Sequence, residues 1–289
     1  MNPDASRRLP LTVIVPALNE ERNLRDCLAS VAWADQVFVV DSGSMDRTAE
    51  IAEAMGATVA QFDYDGGWPK KKNWAIRNLD IRNDWFLILD ADERIDEPLR
   101  DEIAAAITRD DVDGYYLRWK FVFLGRWMRF SWRHGWMLRL VRKGRGEYED
   151  LGMRGEGGWD NEVHENIVVQ GRTARLRNWL IHDSNERLAH WLNKHNQYST
   201  WNAERRRRQL AEPVPSPAAL WSSDPGARRR FLKAVYLRLP LKPVLMFLLL
   251  YVFRGGFLDG RAGLYFCALR AAHELNIDAK LFEQRLDAG

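Results

Sequence analysis

Four short apolar runs, separated by stretches of helical spacing, constrain this chain more than anything else in it. Thr12-Val13-Ile14-Val15-Pro16, Val37-Phe38-Val39-Val40, Thr58-Val59-Ala60 and Trp85-Phe86-Leu87-Ile88-Leu89 show almost no polar alternation. A strand with one wet face alternates, whereas a strand buried on both faces reads as a near-continuous apolar run. Between the runs, Asn19 offers a helix N-cap ahead of Leu24, Leu28 and Val31, and Asp46–Met55 reads as a helix stopped by Gly56. Lys70–Leu79 is helical, and Asp96 with Pro98 opens a helix running to Thr108. Strand and helix in strict alternation predict an α/β fold, a mostly parallel sheet covered by helices on both faces. Such sheets bind ligands beyond the carboxyl ends of their strands, which is where Asn19, Asp41 and Asp90 fall.

The pattern changes after residue 113. Strand-like pieces at 115–124, 136–142, 163–170 and 174–181 predict mixed or antiparallel sheet with long loops. A polar helix over 185–209 ends in four arginines, Glu212–Pro217 reads as a linker, and 225–288 reads as two or three helices. The expected organisation is an α/β half at 1–113, a second part of the same domain at 114–209, and a basic, apolar helical tail at 210–289. Charge follows the same division. Residues 1–113 carry 23 acidic against 13 basic side chains, while 200–289 carry 15 basic against 8 acidic. An acidic first third suits a cation or a metal–nucleotide complex, and a basic end suits an anionic surface. The 2 cysteines, Cys27 and Cys267, exclude a disulfide scaffold and a cysteine-built zinc module, and fit a reducing compartment. No secretory leader is expected, because the run Leu11–Leu18 is short and broken by Pro16.

Asp90-Ala91-Asp92 carries the most chemistry. Two carboxylates at a strand end can share a hard divalent cation, Mg²⁺ or Mn²⁺, which keeps waters and takes phosphate oxygens. The same sequence is also compatible with a turn of solvated acids. Pro16, Asn19 and Glu20 after the first strand, and Asp41 after the second, either shape turns or grip a base and ribose. Arg139 and Arg142 either clamp phosphates or alternate along an exposed strand.

Taken together, V-I-V-P-A-L-N-E-E, V-V-D-S-G-S-M-D-R-T, the Lys70–Asn73 stretch and L-I-L-D-A-D-E-R resemble family 2 glycosyltransferases with the GT-A fold, in order and spacing, over residues 11–110. Asn161–Glu165, Leu180–His182 and Gly256–Asp259–Gly260 resemble a narrower bacterial group within that family, similar to lipopolysaccharide-core glucosyltransferases. The resemblance implies an inverting transfer of a hexose from a nucleotide-sugar, a UDP-sugar for preference, to a lipid-linked or lipopolysaccharide-core glycan. It implies a nucleotide site of Pro16, Asn19, Glu20, Asp41, Lys72, Asp90 and Ala91, beside which Arg139 and Arg142 stand as the candidate phosphate contacts read from the residues themselves. Lys70 and Lys71 share the Lys72 run and compete for its role. Asp92 and Asp90 are the implied metal ligands, with His164 and His182 as further candidates. One acidic residue after the D-x-D must take the acceptor's proton. Asp160, Glu162 and Glu165 qualify, and Glu165, in the shared V-H-E piece, is favoured.

Leu239–Phe253, flanked by Arg228-Arg229-Arg230, is shorter than the roughly 20 residues of a spanning helix. It is expected either to lie at a membrane interface or to pack as a buried helix. Nine of the 13 tryptophans lie between 119 and 221, as core packing, sugar-stacking or interfacial residues. The expected location is the cytoplasmic face of the inner membrane, peripherally attached to its anionic surface. Nucleic acid is not an expected partner, since the arginine runs flank an apolar segment. Two rival readings are a catalytically silent membrane scaffold and a D-x-D phosphohydrolase. Arg94 stands where such a hydrolase carries Thr or Val.

Overall fold

The computed structural model describes residues 8–132, 135–150, 166–183 and 188–286. The first apolar run is strand β1 (Leu9–Ala17), buried at every position from Leu11 onward. The chain continues through α1 (Leu24–Ser30), β2 (Ala34–Asp41), α2 (Thr48–Ala54), β3 (Thr58–Gln61), α3 (Lys71–Asn78) and β4 (Trp85–Ile88). β1 pairs in parallel with β2 on one side and β4 on the other, and β3 extends the parallel array beyond β2. Then come β5 (Glu93–Arg94), α4 (Glu97–Ala106), β6 (Gly114–Phe123), β7 (Arg126–Trp127), β8 (Met137–Arg142), β9 (Gly146–Tyr148), β10 (Ile167–Val169) and β11 (Thr173–His182). The sheet runs in the order β3-β2-β1-β4-β8-β6-β11-β5. β8 runs antiparallel to both β4 and β6, β11 lies parallel to β6, and β5 is antiparallel to β11. β9 and β10 form a separate antiparallel pair.

The two-residue period of a strand sends neighbours to opposite faces. Val13, Val15, Val39 and Leu87 join Leu24, Leu28, Ile51, Leu99 and Ile103 of α1, α2 and α4 in one core. Ile14, Val40, Phe86 and Ile88 join Ala75 of α3, Tyr148 and Ile167 in a second core. Both faces are therefore dry, which is why the strands read as unbroken apolar runs. Each such side chain contributes about 2 kcal/mol on burial.

Local signals match at α4, where the Asp96 carboxylate accepts from Leu99 N at 3.1 Å and Pro98 sits in the first turn. They fail at α1. Asn19 does not cap it, because the helix begins only at Leu24. Asn19 instead adopts a left-handed φ of 56°, and its side-chain oxygen accepts from Met45 N at 2.9 Å. The short strands β5 and β9 are additions to the expected pattern, too brief to carry a period.

The chain divides into two units, one within Met1–Val122 and His134–Asn185 and the other within Phe123–Arg133 and Glu186–Gly289. The second unit holds α5 (Leu188–Ala211), α6 (Pro225–Arg238), α7 (Lys242–Phe247) and α8 (Gly260–Leu286). In this division α5 groups with the helices of the expected tail at 210–289. The reason is packing. Ala203 meets Ile277 and Leu281, and buried Arg206 pairs with Glu274 at 2.8 Å and Asp278 at 3.2 Å. β6 continues the first unit's sheet between β8 and β11, so the strands after residue 113 share one sheet with those before it.

Asp259, just ahead of α8, accepts from Arg129 N, Phe130 N, Ser131 N and Ser131 Oγ at 2.7–3.2 Å. A Cβ added at Gly263 would lie 2.2 Å from Gly256 O, so the Gly256–Gly260 motif is read first as a packing device. No single described helix is long and apolar enough to cross a membrane. The consecutive pair Lys242–Phe253 and Gly256–Leu286, bent by 72°, meets that composition only jointly. Leu241, Val244, Val252, Phe253, Phe257 and Leu258 are exposed along it.

Candidate active site

Register brings the candidate residues to one edge. β1 pairs Ala17 with Asp41, and Ile14 with Ile88, so β1, β2 and β4 end side by side. Pro16 is buried within β1 opposite Val40. Asp41 is buried, and its carboxylate accepts from Ser44 N at 3.0 Å and from the Ser44 hydroxyl. Ser44 Oγ in turn accepts from Asn19 N at 2.8 Å. Glu20 N donates to Thr48 Oγ1 at 2.8 Å, and the Glu20 carboxylate accepts from Asn23 Nδ2 at 2.8 Å. The loops after β1 and β2 are therefore stitched into one wall. Lys71 helps close it by donating to Ala17 O at 2.9 Å.

Asp90 forms the opposite wall. Lys72 Nζ lies 3.0 Å from Asp90 Oδ1, and Arg139 donates to Oδ2 at 2.6 Å. Both cations are nearly buried, while the Asp90 side chain keeps 27% of its surface exposed. Of the three consecutive lysines, Lys72 is thus the one brought to the D-x-D. Burial alone would raise the Asp90 carboxyl, but the Arg139 and Lys72 charges outweigh it and hold the group well below the carboxylate range. Arg139 also reaches Glu93 at 3.1 Å. Glu93 is fully buried, and it accepts from Asp90 N at 2.8 Å and from Trp119 Nε1. Burial lifts its carboxyl to about 7, against the pull of Arg139.

Ala91 is buried, which turns Asp92 toward β11. There, β11 pairs His182 with Glu93, and Asp183 N donates to Asp92 O at 3.1 Å. His182 Nε2 sits 3.0 Å from Asp92 Oδ2, with its ring between Trp119 and Phe121 at 4.9 and 5.5 Å. Burial opposes protonation of His182, but the Asp92 charge and hydrogen bond prevail and lift the imidazole to about 9. No group of three His, Cys, Asp or Glu side chains suited to a metal occurs among the described residues. Asp92 and His182 form a two-donor pair of oxygen and nitrogen, and Asp90 is already neutralised by two cations. The Asp92 carboxylate fits a Mg²⁺ or Mn²⁺ ion that takes its other ligands from water and a diphosphate, and His182 would join it only as neutral imidazole, once the metal displaces the proton shared with Asp92.

Arg142 does not join this edge. In the antiparallel pairing it stands opposite Trp85, at the start of β4. Three residues of extended strand, about 10 Å, separate it from Arg139. It donates to Arg109 O at 2.8 Å and lies over the Trp85 ring. Asp160, Glu162, His164 and Glu165 lie outside the described residues. Sequence reasoning missed Glu93 and Trp119. Glu93 had a signal, a third acid directly behind D-x-D, whereas Trp119 had none, because its role depends on β6 lying beside β11.

The sequence model of the family described as "Glycosyl transferase family 2" matches residues 12–158. The chain is 28% identical over 281 residues to "Lipopolysaccharide core biosynthesis glycosyltransferase LpsC" of Rhizobium meliloti, covering 92% of each. It is 35% identical over 106 residues to an uncharacterized glycosyltransferase of Rickettsia bellii, 36% of this chain and 35% of that one. Among solved structures it is similar to a mannosyltransferase from Pyrobaculum calidifontis in complex with GDP-Man and Mn²⁺. The TM-score is 0.46 at 16% identity, over 97% of this chain and 89% of that one.

Proposed function

The chain belongs to glycosyl transferase family 2, and from that premise we propose that its first unit transfers a hexose, with inversion, from a nucleotide diphosphate sugar to a lipopolysaccharide-core or lipid-linked glycan. The observation that carries the reading is the convergence of Asp41, Asp90, Asp92, Lys72, Arg139 and His182 on one sheet edge. The acceptor class rests on the likeness to the Rhizobium meliloti protein along nearly the whole chain. UDP is the proposed nucleotide.

In this reading Asp41 and the Asn19–Glu20 backbone hold the base and ribose. Lys72 and Arg139 bring positive charge to the diphosphate wall, and the Asp90 carboxylate that they clamp keeps them in place. Asp92 and His182 would hold the divalent cation, which as a Lewis acid supplies charge stabilisation for the departing diphosphate. The acceptor hydroxyl oxygen bonds to the anomeric carbon as the bond from that carbon to the diphosphate oxygen breaks. Glu165 is the proposed base and receives the hydroxyl proton, a contribution of about 10²–10⁴ in rate. Attack from the face opposite the leaving group inverts the anomeric configuration. The exposed apolar residues of Lys242–Phe253, beside a basic α6, support peripheral attachment to an anionic membrane, with the cytoplasmic face as the proposed site of action.

The test is a thermal-stability panel of UDP, GDP, CDP and ADP, each with and without Mn²⁺. The reading expects one diphosphate to stabilise the protein only when metal is present. Lack of stabilisation by every diphosphate would sink it, as would stabilisation that ignores the metal.

A further inference from the structure

The second unit contains a cavity of about 230 Å³ whose walls come from α5, α6 and α8. That is far above the roughly 15 Å³ needed to seat one water. Its polar lining includes Arg205, Arg206, Lys233, Arg270, His273 and Glu274. The charges do not balance. Glu274 and Asp278 answer Arg206, and Asp278 also answers Lys242 at 3.2 Å. Arg205, Lys233 and Arg270 have no carboxylate within ion-pair reach among the described residues. Arg270 is the most exacting of the three. Its guanidinium lies 5.1 Å over the Trp132 ring, and its Nε is buried without a hydrogen-bond partner. His273 is 5% exposed, and its Nδ1 is likewise buried and unpartnered. A buried donor left unpaired costs about 1–3 kcal/mol, more when charged.

We propose that this cavity binds a phosphate group, held by Arg205, Lys233 and Arg270. A phosphate monoester carries close to two negative charges at neutral pH and three strong acceptor oxygens. That matches three cations without a directly paired carboxylate better than a carboxylate ligand does, and guanidinium forks suit phosphate oxygens. The local field agrees. Burial, then the neighbouring Arg270, His195 and Arg206, keep the His273 imidazole down at about 4. Burial with Arg205 and Arg229 lowers the Lys233 ammonium. The phosphate source is either a soluble phosphorylated compound or a phosphomonoester lipid headgroup. This site is separate from the sugar-transfer residues and does not depend on that reading.

The experiment is calorimetric titration of the full chain with inorganic phosphate, at ionic strength matched with chloride and without divalent metal. Wild type should bind saturably. R270Q, and separately the double variant R205Q/K233Q at exposed positions, should each weaken binding by about tenfold or more. D92N should bind phosphate as wild type does. Absence of saturable binding would overturn the proposal. So would loss of binding in D92N, or unchanged affinity in a folded R205Q/K233Q. Vesicles of phosphatidylcholine with phosphatidic acid, against phosphatidylglycerol at matched charge, separate the two sources. A phosphatidic acid preference abolished in R205Q/K233Q identifies a headgroup. Phosphate binding without that preference identifies a soluble ligand.

Discussion

Arg139 and Asp90 stand 49 positions apart in the chain and 2.6 Å apart in space. With Lys72 on the other oxygen, the first acid of D-x-D is an anchor for two cations before any ligand arrives. Replacing Lys72 with Met should therefore do two things. It should cost about 1–3 kcal/mol in chemical denaturation, short of the loss for a fully buried pair, because Arg139 remains and Asp90 is partly wet. It should also weaken nucleotide diphosphate binding by about tenfold, since one cation leaves the diphosphate wall. Full nucleotide affinity in K72M, read by calorimetry with Mn²⁺, would remove Lys72 from the site.

Asp92 and His182 are expected to act as a pair. H182N should raise the Mn²⁺ concentration needed for nucleotide binding by about tenfold or more while leaving the melting temperature without metal within a few degrees. An unchanged Mn²⁺ titration in H182N would leave Asp92 without its described partner.

Arg142 supplies the matched negative. Because β8 runs antiparallel to β4, it lies at the far edge of the sheet. R142Q should change nucleotide affinity by less than about twofold, whatever it does to the Arg109 and Trp85 contacts. A tenfold loss would return it to the phosphate wall.

Much of this was legible along the chain, and the reason is periodicity. The first four strands announced themselves because both their faces are buried, and Asp41 and Asp90 because strand ends are easy to find. Which lysine serves Asp90 was not legible, since Lys70, Lys71 and Lys72 are chemically alike and only the turn of α3 separates them. Arg139 and Arg142 looked equivalent for the same reason. Choosing between them needs the direction of β8, which sequence spacing does not carry. The placement of α5 was also hidden, because a polar helix ending in arginines looks solvated until Arg206 meets Glu274 and Asp278.

The second unit should weaken in acid. His195 stacks on Trp191 at 3.5 Å, and its ring lies 5.8 Å from that of His273. Burial, with Arg270 and Lys194 nearby, lowers His195 to about 4, and burial with Arg270, His195 and Arg206 lowers His273 to about 4. A depressed imidazole takes its proton more readily unfolded than folded. The stability it contributes is whole above the ordinary 6.5 and drains away as pH falls toward 4. Helix melting followed from pH 7 to 4 should show that decline, and H195Q/H273Q should flatten it. A wild-type melting temperature constant over this window would contradict the burial of both rings.

Gly263 and Asp259 test the packing ahead of α8. G263A forces a methyl toward Gly256 O and should cost about 1–3 kcal/mol or more. D259A strips four donors of their acceptor and should cost about 3 kcal/mol or more. Wild-type denaturation midpoints for both would mean that the motif is kept for another reason.

The grip of Asp259 on Arg129, Phe130 and Ser131 also governs how the molecule can be cut. The strap Phe123–Arg133 groups with the helical unit, where Asp259 fastens Arg129, Phe130 and Ser131, while the chain on either side of it belongs to the sheet unit. The polypeptide therefore passes between the units more than once, and no single scission separates them. A truncation after residue 185 keeps the strap but discards its acceptor, exposing backbone donors that the intact chain satisfies. Dissecting this protein into independent modules calls for excising the strap and rejoining the sheet across the gap.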